Sequence, residues 1–430
     1  MSFERQLTFE GMMDFQPKST RHSSTFLTNM SRPVHRWFRY SAGFSADWVE
    51  ATITEIKKKY NDVCVLDPFA GSATTIIAAE DVRVASLGIE SHPFVARVAK
   101  SKLLRKESPE EYRTFAALIL RDAKKRKRSD ELYPELIQRC YHENQLDELD
   151  RLRCSFKLHR DDSPASELTW LTLVSILRMT SHVGTAQWQY ILPNKSKTRF
   201  IEPFDAFAQT SRMIWRDMLE SQDISTPGDI LTSDARTCEG VADDFANLVI
   251  TSPPYPNNYD YADSTRLEMM FMREIDGWGD LNQSVRQHLV RSCTQHTTTK
   301  TVDLDQTLRS VELMPIREEL ESICQQLGEI RLSKGGKKNY HLMISSYFLD
   351  LAKVWISLRR VCRSPSKVCF VIGDSAPYGV SIPVYDWMGR LAISAGFHNW
   401  RFEKIRDRNV KWKNRKHRVP LSEGHLWVDG

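Results

Sequence analysis

Long apolar runs are missing from this chain: none approaches the ~20 residues that a bilayer-spanning helix needs. The opening stretch MSFERQLTFEGMMDFQ carries acids and lacks an apolar centre, which argues against a secretory leader. Paired-cysteine motifs are absent too. Cys64, Cys140, Cys154, Cys238, Cys293, Cys324, Cys362 and Cys369 form no C-x-x-C and no evident grouping with histidine. Neither a disulfide framework nor a metal site is therefore expected, and a cytoplasmic location is. There is no internal repeat, no low-complexity tract and no G-x-G-x-x-G. What remains is a 430-residue chain, 41% hydrophobic, with a formal charge of +5. Such a chain can bury a full core, and its mild positive charge allows a polyanionic partner without requiring one.

Strand-like and helix-like runs alternate at both ends of the sequence. VCVL (63–66) stops at Asp67-Pro68 and is followed by a helical TTIIAAE (74–80); VASLGIE (84–90) reads as a second strand, with His92-Pro93 opening another helix. Strand signals return at DILTSD (229–234) and ANLVITS (246–252). A long helix at 341–362, a strand at 367–374, a helix at 383–396 and two last strands near 398–405 and 424–428 complete the pattern. This order predicts an α/β fold with one doubly wound sheet carrying two inserted, largely helical or irregular segments. The expected divisions are 1–103 and 227–271 as core, 104–226 as a helical insert, 272–340 as a second insert, and 341–430 as the last part of the core. Inserts of this kind are candidate nucleic-acid contact regions, because a sheet's ligands gather beyond the carboxyl ends of its strands.

Two strand ends carry chemistry. In LDPFAGSATT (66–75), Gly71 suits a tight turn, and Ala70, Ser72 and Ala73 let a ligand approach the backbone. Glu90, at the end of the next strand, is placed to accept hydrogen bonds from ribose hydroxyls, although Asp67 and Glu90 also suit simple helix capping. Asp67 would repel a pyrophosphate, so a cationic, phosphate-free nucleoside such as S-adenosyl-L-methionine fits better than NAD. The second strand end, LVITSPPYPNNYDYAD (248–263), places two prolines directly after an apolar strand, where a central strand cannot continue. A proline-rich surface turn is the plain alternative, and the buried strand leading into it speaks against that.

These motifs resemble those of the amino-methylating DNA methyltransferases, which act on cytosine N4 or adenine N6. DPFAGSATT resembles the cofactor loop of that family, and TSPPY its catalytic loop. HRWFRYSAGFSADWV (35–49) resembles the upstream segment over the methionine end of the cofactor, SDAR (233–236) an acidic cofactor motif, and FVIGDS (370–375) a later core strand. The two inserts have no counterpart. The resemblance implies a Rossmann-like methyltransferase sheet, with Phe44, Ser45, Asp67, Phe69, Ala70, Gly71, Ser72, Ala73, Thr74, Glu90 and Asp234 binding the cofactor. Ser252, Pro253, Pro254 and Tyr255 are the implied catalytic loop. The family's loop usually has a second glycine where this chain has Ala73, which would be strained at positive φ. For Asp234, a turn role at a strand end is the alternative.

An exocyclic amine is a poor nucleophile because its lone pair is delocalised into the base. Acceptors on its hydrogens favour the tetrahedral geometry needed for attack. Ser252 Oγ and the Pro253 carbonyl are such acceptors, and the two prolines pre-aim them. The target must be flipped out of the duplex, and Tyr255 is placed to stack on it. The serine version of the loop leans, within the resembled family, to cytosine N4; C5 chemistry would need a nucleophilic cysteine, and no Pro-Cys pair occurs. The implied function is a site-specific DNA methyltransferase of a restriction–modification system, with double-stranded DNA as partner and any endonuclease on a separate chain. Adenine N6 methylation, an RNA or tRNA amine methyltransferase, and a catalytically silent DNA-binding module are the alternatives. Of the basic runs, KKRKR (124–128) suits a solvated helix face, whereas KIRDRNVKWKNRKHR (404–418), interleaved by Trp412, suits phosphate contacts. RSCTQHTTTK (291–300) offers small polar groups of the kind that read base edges.

Overall fold

Alternate residues of the central strands feed two different apolar cores, which is why those strands read as unbroken apolar runs. A computed structural model describes residues 26–40, 43–60, 62–185, 190–257, 259–298, 301–336, 338–408 and 419–430. Its strands are β1 (Cys64–Asp67), β2 (Ala85–Ile89), β3 (Val183–Thr185), β4 (Ile191–Ser196), β5 (Gly228–Leu231), β6 (Ala246–Thr251), β7 (Cys362–Gly373), β8 (Asn399–Asp407) and β9 (Ser422–Asp429). Among the described residues, seven of them form one sheet in the order β5-β2-β1-β6-β7-β9-β8. The first five run parallel, while β9 is antiparallel to both β7 and β8.

On one face, Val65, Leu248, Ile250, Cys369 and Trp427 pack with helix α1 (Ala46–Lys59) and helix α2 (Thr74–Asp81). On the other, Leu66, Val249, Phe370 and Leu426 pack under helices Arg317–Ser333, Tyr340–Val361 and Val384–Ser394. The sheet is thus doubly wound, as the run order implies. A third apolar cluster joins α2 to four helices, Pro109–Lys125, Glu143–His159, Pro164–Thr180 and Pro203–Glu220. Two of these start alike: Ser108 and Ser163 cap the first turn with their hydroxyls and proline takes the next position, where its missing N–H costs nothing.

The region 104–226 is not wholly helical. β3 and β4 pair as an antiparallel ribbon with an irregular register between Val183 and Gly184. Three residues in one strand and a proline in the other leave no alternating pattern to find. β7 also begins five residues earlier than its apolar run, at Cys362. The basic run 124–128 straddles a helix end instead of lying on a helix face: the helix stops at Lys125, Arg126 pairs with Asp122, and Arg128 pairs with Glu143. Most of the second basic run, 409–418 with Trp412, lies outside the described residues. Among the described residues, no helix is long and apolar enough to cross a membrane.

Candidate active site

β1 and β6 lie side by side, and the chain leaves β1 toward one edge of the sheet and β6 toward the other. Ligands of open α/β sheets bind at such a reversal, beyond the carboxyl ends of the strands. The DPFAGSATT and SPPY loops both start there. Asp67 joins them: its Oδ1 accepts from Thr251 Oγ1 at 2.5 Å and from the Phe69 amide at 3.0 Å. Burial pushes its carboxyl up to about 6. Asp67 therefore braces the two loops and does not cap α2, which begins only at Thr74.

The first loop is held from within. Gly71 has φ +51°, and a Cβ there would stand 3.0 Å from Tyr40 Cε1. Ala73 adopts a left-handed φ of 69° and ψ of 31°, so the alanine carries the strain that glycine would avoid, roughly 1–2 kcal/mol. Glu90 accepts from the Gly71 amide through Oε2 at 2.9 Å and from the His92 amide through Oε1 at 2.8 Å. The second bond lies at the start of helix Pro93–Leu103, whose N-cap is His92, so Glu90 serves loop and helix together. Burial pushes its carboxyl up to about 7.

Between the loops lies a cavity that opens to solvent. Tyr40, Gly43 and Phe44 close one side, ahead of α1. Phe69, Ala70, Gly71, Ser72 and Thr74 form the floor with Glu90, Ser91 and His92. Ser252, Pro254 and Tyr261 come from the region after β6, and Leu289 and Val290 from the segment 272–340. No lysine or arginine is among these lining residues. His92 is held neutral, since burial pulls its imidazole down to about 3, and its Nε2 lies 2.9 Å from Thr265 Oγ1. Among the described lining residues, Glu90 is thus the only acid and none of the others is charged.

Ser252 Oγ donates to the Val371 carbonyl of β7 at 3.1 Å. With its proton so engaged, the hydroxyl presents lone pairs to whatever enters beside it. Pro253 is buried behind this surface. Tyr255 does not line the cavity; the Arg408 guanidinium lies 4.9 Å over its ring, so one face is already covered. Arg408 is fixed there by the Asp374 carbonyl at 2.7 Å, which ties the FVIGDS turn to this loop.

Three other expected roles change. Ser45 lies behind the wall, and its Oγ accepts from the Trp48 amide as the N-cap of α1, so that hydroxyl is already engaged. Asp234 also lies away from the cavity: its Oδ1 accepts from the Arg236 amide at 2.8 Å and its Oδ2 pairs with Arg236 at 2.6 Å, which is the turn role. The stretch 291–298 does not form an open polar surface. Arg291 bonds Asp350, Ser292 and Thr297 are fully buried, and the Ser292 carbonyl accepts from the Asn257 amide at 2.8 Å. Thr299 and Lys300 lie outside the described residues.

Cavity residues that motif reading overlooked are Tyr40, Gly43, Ser91, His92, Tyr261, Leu289 and Val290. Tyr40 and Gly43 lie inside the HRWFRYSAGF stretch, His92 inside the His-Pro helix start, and Tyr261 inside the aromatic run after the prolines, so a signal existed for each. Leu289 and Val290 had none. Cys293 and His296, three apart in the chain, do meet: with Asp260 they bring ligand-type atoms within 4.8 Å of one another. Both Asp260 oxygens already have partners, Arg286 at 2.5 Å and His296 at 3.4 Å, and the guanidinium supplies the positive charge that a cation would.

No protein-family model matches the chain, and no solved structure matches it significantly. Curated relatives do. The Type II methyltransferase M.AvaI of Nostoc sp. is 25% identical over 437 aligned residues, covering 91% of this chain and 84% of that protein, and M.AvaI of Anabaena variabilis matches to the same extent. The Type II methyltransferase M.BsoBI of Geobacillus stearothermophilus is 26% identical, covering 89% of this chain and 82% of its own length. Likeness across nearly the whole length, together with two loops converging on one cavity at the sheet's reversal point, supports the methyltransferase family that those loops resemble.

Proposed function

We propose that the protein is an S-adenosyl-L-methionine-dependent DNA methyltransferase that modifies the exocyclic N4 of cytosine within a specific duplex sequence. The observation that carries this reading is the opening of Ser252 and Pro254 into the same cavity as Gly71 and Glu90. A nucleoside with a positive sulfonium fits that cavity: among the described lining residues Glu90 is the only acid and none is basic, and Gly71 leaves a cradle that a Cβ would fill. When bound, S-adenosyl-L-methionine supplies an electrophilic methyl group.

This chain's own residues do the rest. Glu90 accepts from the ribose hydroxyls while the amides of Gly71 and His92 hold it in place. Phe69, Leu289 and Val290 exclude water from the apolar side. Ser252 Oγ, whose own hydrogen bond goes to the Val371 carbonyl, accepts a hydrogen bond from the target amine and so aims the amine's lone pair. Positioning supplies most of the rate. Tyr255 stacks on the flipped base once Arg408 moves off its ring. Double-stranded DNA as substrate, and a separate restriction endonuclease, agree with the Type II naming of the relatives.

Nucleoside mass spectrometry of plasmid DNA from a host expressing the protein tests the reading. N4-methylcytosine is expected, and its appearance should require Ser252. N6-methyladenine would transfer the same machinery to the other base; no modified base, with cofactor binding retained, would favour a silent DNA-binding module.

A further inference from the structure

Two cavity walls, Leu289 and Val290, come from a segment with almost no regular structure of its own. Short three-residue turns at Arg286–His288 and Thr294–His296 flank them. Such a segment cannot hold an apolar wall in place by itself, and two ion-pair groups on buried carboxylates do it instead. On the side of the catalytic loop, Arg286 donates Nε and Nη2 to Asp260 Oδ2 at 2.9 and 2.5 Å, with His296 Nε2 3.4 Å from Oδ1. On the other side, Arg291 donates its amide, Nε and Nη2 to Asp350 at 3.0, 2.9 and 2.5 Å. Asp350, 1% exposed, stands on the core helix Tyr340–Val361 and also meets Arg236 at 3.4 Å. Arg236 in turn holds Asp234 and reaches the His288 carbonyl at 3.4 Å.

We infer that Arg291, fastened to Asp350, is a positioning residue for cofactor binding: it clasps the 286–296 segment so that Leu289 and Val290 close the cavity. Arg291 touches no lining surface; it acts through its two neighbours. Without Arg291 the buried Asp350 keeps only the longer Arg236 contact, and nothing then ties residue 291 to the core helix, so the segment shifts. Asp234 then belongs to the same clasp, holding Arg236 in line, and acts on the cavity only at a distance. The inference rests on the reading that this cavity takes S-adenosyl-L-methionine.

Calorimetric titration of the full chain with S-adenosyl-L-methionine, alongside thermal unfolding, tests it. Arg291→Met is expected to raise Kd roughly tenfold, the scale of a lost charge-assisted hydrogen bond. Arg291→Lys keeps the charge but loses the two-pronged fork, and should fold and raise Kd by a smaller factor, about threefold. Arg390→Met, on the helix Val384–Ser394, breaks a more exposed pair with Glu319, and neither residue lines the cavity. It should lower Tm and leave Kd unchanged. Parent-like Kd in both Arg291 variants, or equal weakening by Arg390→Met, overturns the inference while the cofactor reading stands. A parent protein that does not bind S-adenosyl-L-methionine overturns both.

Discussion

The two loops at the sheet's reversal point are stiffened by opposite means. After β1, the turn is built from small residues, with Gly71 and Ala73 both at positive φ, and a carboxylate on the next strand fastens it. After β6, Pro253 and Pro254 fix the backbone and one serine hydroxyl is tied to a neighbouring strand. A loop held by an ionisable group can change with pH and with ligand charge. A loop held by proline rings cannot. Cofactor binding should therefore respond to pH and the aiming of Ser252 should not, and Asp67, bonded to Thr251, joins the two regimes.

The sharpest break of this comparison is Ser252→Ala. Removing one preorganised hydrogen-bonding group should cut the single-turnover methylation rate by about 10²–10³-fold, with cofactor affinity unchanged. Full activity would remove the serine from the chemistry. Tyr255→Ala should be rescued by a mismatch at the target base, since less unstacking is then needed, whereas Ser252→Ala should not. Equal rescue of both variants by the mismatch would put both residues in one role.

Glu90→Ala tests the other loop. Loss of charge-assisted bonds should weaken S-adenosyl-L-methionine by roughly 1.5–3 kcal/mol in calorimetry, and unchanged affinity would leave Glu90 with its structural bonds alone. The pH response follows from the same residue. Its folded pKa of about 7 lies above its ordinary 4.5, so the folded protein keeps a proton that the unfolded chain has already released. Without cofactor, stability is expected to fall as pH rises from 4.5 to about 7 and then to level off, with Asp67 adding to the fall up to about 6. Cofactor affinity should run the other way, because the ribose hydroxyls need the carboxylate: Kd at pH 8 should be roughly tenfold tighter than at pH 6. Glu90→Gln should flatten that profile, and a flat profile in the parent would contradict the assignment.

The smallest expected effect is at Ala73. Glycine there relieves the left-handed strain but removes a fully buried methyl and loosens the unfolded chain. Ala73→Gly should change stability by less than about 1 kcal/mol in denaturant unfolding, because these effects oppose one another. A large loss would mean that the methyl packs more tightly than its strain costs.

Much of the fold was legible because its cause is local. Apolar runs closed by Asp67-Pro68 and by Ser252-Pro253-Pro254 announce strands that end at a ligand edge, and His92-Pro93 announces a helix start. The ribbon β3–β4 escaped notice because three residues and a proline carry no periodicity. Asp234 reads equally well as ligand contact or turn residue, and only the position of Arg236 decides between them.

By itself, the sequence determined the strand order's raw material, the two loops and the residue types they carry, since each depends on neighbours within about ten positions. Tertiary structure alone decided which side chains face the cavity. Leu289 and Val290 reach it from a segment with no motif, because Asp260 and Asp350, 26 and 59 residues from their arginine partners, hold that segment there. Burial likewise set the charge of Glu90 and Asp67, which no local pattern could reveal: the cost of ionising a carboxylate depends on how much water the folded chain has removed from it.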